Sequence, residues 1–523
     1  VSKGQLALVL HAHLPYVRSE NPTSLEADWY FQALIECYLP LLELLEESHA
    51  AEDQFPHMTL GISPTLLSLL ADKELQERFQ PWVLLRLDLL KEAPPQLYNA
   101  ANHLSKRIKK QLLHWQSING DLISRFSFLQ KEGVLDLLTC AATHGYLPLL
   151  REHPEAVRAQ LLTAVREHSR LIGSPPLGIW LPECAYYEGL DKLMYEVGLR
   201  YAVLDGHGLL NANPRPRYGI YAPICSTKGV AFFGRDAEST FPVWSSREGY
   251  PGDSSYREFH RDLGWDFPKE KLQEIGINEP RPLGLKLYRV TGVSTPLENK
   301  APYEPDLASS LVKDHARDYL QGRKSQLKQL KTSMVVNPLL VAPFDAELFG
   351  HWWFEGPEFL SELFRQAPRE NISFTRLVDS LSNSPRLQLS DPSPSSWGQG
   401  GYHHYWLNET NAWVIPEWSK AGKAMIECCD RFNGIGGEKD RLLRQAAREL
   451  LLAQSSDWSF ILRAGTTTQI AKERIHRHLQ RFWSLVNAAN DKEDLSDSLL
   501  LRFENEDCLF PFVDPRDWTP MRN

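Results

Sequence analysis

Short apolar runs punctuate this chain: Leu6–His11, Met58–Ile62, Gly178–Leu181, Tyr201–Leu204, Ala231–Phe233 and Leu339–Phe344. Each stops at a Gly, Pro, Ser, Asp or Ala-His step and not at a hairpin signal, and helical stretches separate many of them. That alternation predicts an α/β fold with buried parallel strands. If the strands curl into a barrel, the polar residues at their C-terminal ends line one face. His11 and His13, Glu183, Asp205 and His207, and Asp345 all fall at such ends.

From Ser63 to about Leu138 the pattern turns helical. Ser63-Pro64 offers an N-cap followed by Pro at the first helical position, and Leu66, Leu67 and Leu70 then recur at helical spacing. The stretch is too long for one crossover and predicts a helical insertion over 63–144 between barrel segments 1–62 and 145–385. The Gly-, Pro- and Ser-rich region Pro214–Asp266 predicts long loops. A Ser/Pro linker, Asp391–Ser396, then leads into a helical C-terminal domain over 386–523, with Leu443, Ala447 and Leu451 on one face and Ile475, Leu479 and Phe482 on another.

Composition narrows the classes. A chain of 523 residues, 42% hydrophobic and 24% charged, builds its core without staples. The net charge of -9 disfavours nucleic acid or an anionic membrane as partner. No run approaches the ~18 apolar residues of a membrane span. The opening Val1-Ser-Lys-Gly-Gln5 shows no leader pattern, so a cytoplasmic protein is expected. Seven scattered cysteines without CxxC spacing argue against a cysteine zinc site or a disulfide framework.

The most chemically loaded segment is Ala342-Pro-Phe-Asp-Ala-Glu-Leu-Phe-Gly-His-Trp-Trp-Phe-Glu355. An acid at the end of a buried strand costs several kcal/mol unless paired or used. Glu183, in Trp180-Leu-Pro-Glu183, is the candidate partner of Asp345. Two carboxyl groups about 5–5.5 Å apart are what retaining glycosyl transfer requires; each acid taken alone is equally an N-cap after a strand. His11-Ala-His13 sets two imidazoles on one face of a strand, as a metal pair completed by Asp205 or His207, as donors to a sugar, or as structural histidines. Trp180, Trp352, Trp353, Trp397, Trp406 and Trp413 supply aromatic faces, several beside Gly or Asn, as a hydroxyl-rich ligand needs. Asp457, in Ser455-Ser-Asp-Trp458, brings a further acid or an N-cap. The loop Val243–Asp253 and the segment Tyr256–Trp265 suggest a lid, with Arg257 and Arg261 orienting a ligand or simply solvated. No Walker, GxGxxG or GxSxG motif is present.

Taken in order, His11-Ala-His-Leu-Pro15, Gly61-Ile-Ser-Pro64, Trp180-Leu-Pro-Glu183, Ala342–His351 and Trp397–Asn411 resemble glycoside hydrolase family 57 over nearly the whole chain. Val243–Asp253, Tyr256–Trp265 and Ser455–Trp458 resemble its α-1,4-glucan branching members. The resemblance implies a (β/α)7 barrel and a retaining mechanism, with Glu183 as nucleophile and Asp345 as general acid/base. It further implies sugar contacts from His11, His13, Trp180, Trp265, Trp352, Trp397, Trp406 and Asp457, with Arg257, Arg261 and Gly284 assisting. No metal or other cofactor is implied, and the expected partner is an α-1,4-glucan. Activity would be formation of α-1,6 branches, with Gly234–Thr240 near the lid tip. The rivals are an α-amylase or 4-α-glucanotransferase, a metal-dependent deacetylase using His11, His13 and Asp205, and a non-catalytic glucan-binding protein.

Overall fold

The computed structural model describes residues 4–50, 57–384, 386–432 and 436–521; Val1–Lys3, which carry part of the no-leader reading, lie outside them. Seven parallel strands form the frame: β1 (Gly4–Ala12), β2 (Met58–Ile62), β3 (Leu135–Cys140), β4 (Gly178–Trp180), β5 (Tyr201–Leu204), β6 (Ala231–Gly234) and β7 (Leu339–Asp345). Their order is β6-β5-β4-β3-β2-β1-β7. Asp236, two residues past β6, closes the circuit, because its N–H donates to the Val341 carbonyl at 2.9 Å. This is a distorted (β/α)7 barrel. Helices wrap it, since strands buried on both faces need covering on both sides.

Strand β3 corrects the expected helical insertion. Leu135-Asp-Leu-Leu-Thr-Cys140 is buried throughout and pairs with both β2 and β4. A short, fully buried apolar run has no periodicity to tell strand from helix. The inserted helices are Pro64–Ala71, Lys73–Leu90, Tyr98–Ser117 and Leu122–Lys131. The Ser63 hydroxyl caps the first, accepting from the Leu66 N–H, as its sequence predicts.

The Ser/Pro stretch is not a free linker either. Gln388–Leu389 pairs with Ile224–Cys225, and Asp391 and Ser395 exchange backbone hydrogen bonds with Asn213 and Tyr186. Backbone pairing, invisible in composition, turns the segment into a strap across the barrel. The C-terminal helices Val414–Arg431, Glu438–Ala453, Ser456–Ala464, Thr468–Ala489 and Asp497–Glu506 follow. Leu443, Ala447, Leu451, Ile475, Leu479 and Phe482 are all buried there, as the periodicity predicts.

Gly234–Thr240 is no lid tip: Gly234 ends β6, and Asp236, Ser239 and Thr240 are buried at the start of helix Ala237–Trp244. The segment from Tyr256 is also packed, with Tyr256 and Asp262 fully buried. The Asp262 carboxylate accepts backbone N–H groups from Gly264, Leu283, Gly284 and Leu285 at 2.8–3.1 Å. Among the described residues no helix is long and apolar enough to cross a membrane.

Candidate active site

Register brings the chemistry to one end of the barrel. His11, near the end of β1, is the direct partner of Asp345 on β7 and of Gly61 on β2. A side chain on Gly61 would lie 3.2 Å from the His11 ring and 3.3 Å from Trp180, so glycine there leaves room for His11 to stack on Trp180, 5.0 Å between centroids. Both rings are buried. They form a floor beneath the other groups.

Glu183 follows β4 in a tight turn, with φ 62° and ψ 25°. A left-handed glutamate costs on the order of 1–2 kcal/mol and marks a position where side-chain direction matters. Its carbonyl accepts the Trp397 backbone N–H at 3.0 Å, and its Oε2 accepts the Trp397 indole N–H at 2.7 Å. The rings of Trp180 and Trp244 pack against Trp397. The strap thus delivers a hydrogen-bond donor to the acid on the strand end.

Asp345 closes β7, and Glu347 follows on a short turn. Glu347 Oε1 accepts the Tyr38 hydroxyl at 2.6 Å and the His13 backbone N–H at 2.9 Å. Nδ1 of His13 lies 2.8 Å from the Ser63 hydroxyl, and its Nε2 lies 3.0 Å from both oxygens of Asp457. Asp457 starts helix Ser456–Ala464, so the C-terminal domain completes a site built on the barrel. His144 stacks on His13 at 4.0 Å, with Nδ1 2.8 Å from the Ser456 hydroxyl and 3.9 Å from Glu183.

Electrostatics separate these acids. Burial pushes Glu183 up to about 8, against the Trp397 hydrogen bond that favours its ionised form, with Asp345 as a nearby like charge. Burial likewise pushes Asp345 to about 8, reinforced by Glu347 and opposed by His13 and Arg235. Glu347 rises to about 7 through burial, against the Tyr38 and His13 donors. Asp457 goes the other way, to about 2, because His13 outweighs its desolvation. Two half-buried like charges resist joint ionisation, so the Glu183–Asp345 pair retains a proton near neutrality. The indole donor favours the charged form of Glu183, and Glu347 beside Asp345 favours the neutral form of Asp345.

The remaining expected residues divide. Trp406 is buried, stacked on Tyr146 at 4.5 Å, and backs Gly398; it supports the strap and presents no open face. Arg257 is buried against Phe354, bonded to the His351 carbonyl at 3.1 Å and facing Glu36 at 3.4 Å. Gly284, at φ +79°, holds Asp262 and packs beside Gln32. Trp406 and Arg257 are buried and Gly284 turns toward Asp262, so these three sit in the framework behind the site. Arg261 is held by Asp266 at 2.8 and 3.0 Å. Trp265 and Trp352 are 50% and 43% exposed, whereas Trp353 is core. Asp205 bonds the Gly206 N–H at 2.6 Å and faces Arg235 and His207, so the deacetylase set is not assembled around His11. His13, His144 and Asp457 have ligand atoms within 4.8 Å of one another, but both ring nitrogens of His13 are engaged by Ser63 and Asp457, and we assign the group no ion. The site residues missing from the sequence reading are His144, Glu347 and Arg235. His144 stands four residues past the end of β3, at the same rim as His11, and recognising β3 would have exposed it.

The model described as glycosyl hydrolase family 57 matches residues 7–279, and that described as 1,4-alpha-glucan branching enzyme, C-terminal, matches 417–518. A 1,4-alpha-glucan branching enzyme of Thermococcus kodakarensis is 32% identical, the match covering 93% of this chain and 74% of that one. Among solved structures, the alpha-amylase AmyC from Thermotoga maritima superposes with TM-score 0.91 at 35% identity over 100% of both chains. A branching enzyme from Pyrococcus horikoshii gives 0.89 at 31%, covering 99% of this chain and 97% of that one. With a family model matching more than half of it and a relative 32% identical over 93% of its length, the chain belongs to glycosyl hydrolase family 57.

Proposed function

We propose that the protein is a retaining 1,4-α-glucan branching enzyme. The observation that carries the reading is the pair of half-buried carboxyls in unlike surroundings: Glu183 bonded by the Trp397 indole, Asp345 beside a second acid, Glu347. Glu183 attacks the anomeric carbon of a glucan unit as Asp345 gives its proton to the departing 4-oxygen. The bond from carbon 1 to that oxygen breaks, and a glycosyl ester to Glu183 forms. Asp345 then takes the proton of an acceptor 6-hydroxyl, whose oxygen displaces Glu183 and makes the α-1,6 bond. Asp457 supports the branching assignment, because it enters the site from the segment that matches the branching-enzyme C-terminal model.

Hydrolysis is the second reading, favoured by the full-length likeness to an alpha-amylase. Water in place of the 6-hydroxyl gives that outcome from the same intermediate. Incubation with amylose, followed by proton NMR of the anomeric region and a reducing-end assay, separates them. New α-1,6 linkages with few new reducing ends are expected; reducing ends without branches would assign hydrolysis.

A further inference from the structure

Four carboxyls crowd this site, Glu183, Asp345, Glu347 and Asp457, and the proposed reaction uses only the first two. Glu347 is two residues from Asp345, on the turn that ends β7, and is buried. Its two donors come from separate elements. Tyr38 lies on a π-helical turn, Leu34–Tyr38, inserted into the first long helix; such insertions re-aim side chains locally and recur at functional sites. The second donor is the backbone N–H of His13, whose ring reaches Asp457. Two donors fix this carboxylate in one orientation and favour its charged form against the burial that raises it to about 7, so it carries charge on the alkaline side of neutrality.

We propose that Glu347 is a positioning residue for glycosyl transfer: clamped by Tyr38 and the His13 backbone, its carboxylate keeps the proton on Asp345. This rests on the reading of Asp345 as the acid. Around Asp345, Glu347 and Asp457 supply negative charge, while His13 from β1 and Arg235 after β6 supply positive charge, and Glu183 faces it from the β4 turn. Around Glu347 stand Tyr38 and Cys37 from the π-helical turn, His13 and Asp457. Arg235 also faces Asp205, at 3.6 Å, and Asp457 is bonded to His13 and Ser455, so both already have partners. Glu347 is the acid that follows Asp345 on the same turn, fixed there by two hydrogen bonds from other elements. Its contact with His13 also ties the acid to the imidazole that orients Asp457. Glu347 itself takes and gives no proton in the reaction.

Glu347→Gln keeps an oxygen for both donors and removes the charge. The alkaline limb of the kcat/KM profile, read with an aryl maltooligosaccharide at constant ionic strength, is expected to move to lower pH by about one unit, with roughly tenfold loss above it. Glu347→Asp keeps the charge and should leave the limb in place, even if the rate falls. A purely structural Glu347 would lower the rate at every pH equally in both variants, and that result overturns the proposal, as does an equal limb shift in Glu347→Asp. If Glu347→Gln does not fold, Tyr38→Phe takes its place: loss of the donor should move the limb in the same direction by a smaller amount, and an unmoved limb counts against the clamp. Carbon-13 NMR of aspartate-labelled protein, with the Asp345 resonance assigned through Asp345→Asn, reads the same shift without turnover. It therefore separates failure of this inference from failure of the branching assignment.

Discussion

Replacing Trp397 by Phe removes one atom group from the candidate nucleophile while leaving an aromatic face toward Trp180 and Trp244. The lost contact is the 2.7 Å indole N–H bond to Glu183. A hydrogen bond to a charged group contributes about 1.5–3 kcal/mol net, and one pKa unit corresponds to about 1.4 kcal/mol. Glu183, already pushed up to about 8 by burial, should therefore rise by a further ~1–2 units. The reaction needs it ionised, so kcat/KM near pH 6 should fall by about 10–100-fold, with a smaller loss near pH 8.5. The assay is the pH profile on an aryl maltooligosaccharide, with circular dichroism to confirm the fold. A loss of the same factor at every pH would refute the reasoning, because it would mean that the indole binds sugar or shapes the loop without tuning Glu183.

Other expectations follow from the same geometry. Glu183→Gln should abolish turnover while amylose still binds, as read by affinity gel electrophoresis; retained turnover would remove Glu183 as nucleophile. The same variant should be more stable than the parent near pH 8, by about 2–4 kcal/mol in urea melts, with the gap closing toward pH 4. Burial raises the Glu183–Asp345 pair above the unfolded carboxylate value of about 4.5, so the native state binds more protons than the unfolded state above that pH and loses stability as pH rises. Trp353→Ala should cost about 3–5 kcal/mol of stability, whereas exposed Trp352→Ala should stay within about 0.5 kcal/mol and raise the KM for glucan; equal destabilisation would contradict their separate placement. Treatment with chelator should leave turnover unchanged, and its loss, restored by a divalent ion, would reinstate a metal at His13, His144 and Asp457.

Local pattern alone determined much of this protein. Several apolar runs lead into a polar residue within a few positions, and parallel strand geometry gathers those residues at one rim, so His11, Glu183 and Asp345 were legible as a set. Helix caps such as Ser63 were legible because they satisfy their own neighbours' N–H groups. Tertiary structure alone decided three things. Strand β3 was hidden because a fully buried run carries no periodicity, and His144 was hidden with it. The Ser/Pro strap and Arg257 were misread because composition cannot show that a polar group has a distant partner. Finally, which acid holds the proton depends on the Trp397 indole for Glu183 and on Glu347, Tyr38 and the His13 backbone for Asp345. Most of these groups lie far from the acids in sequence, and charge in a low-dielectric site is set by what folding places within a few ångströms.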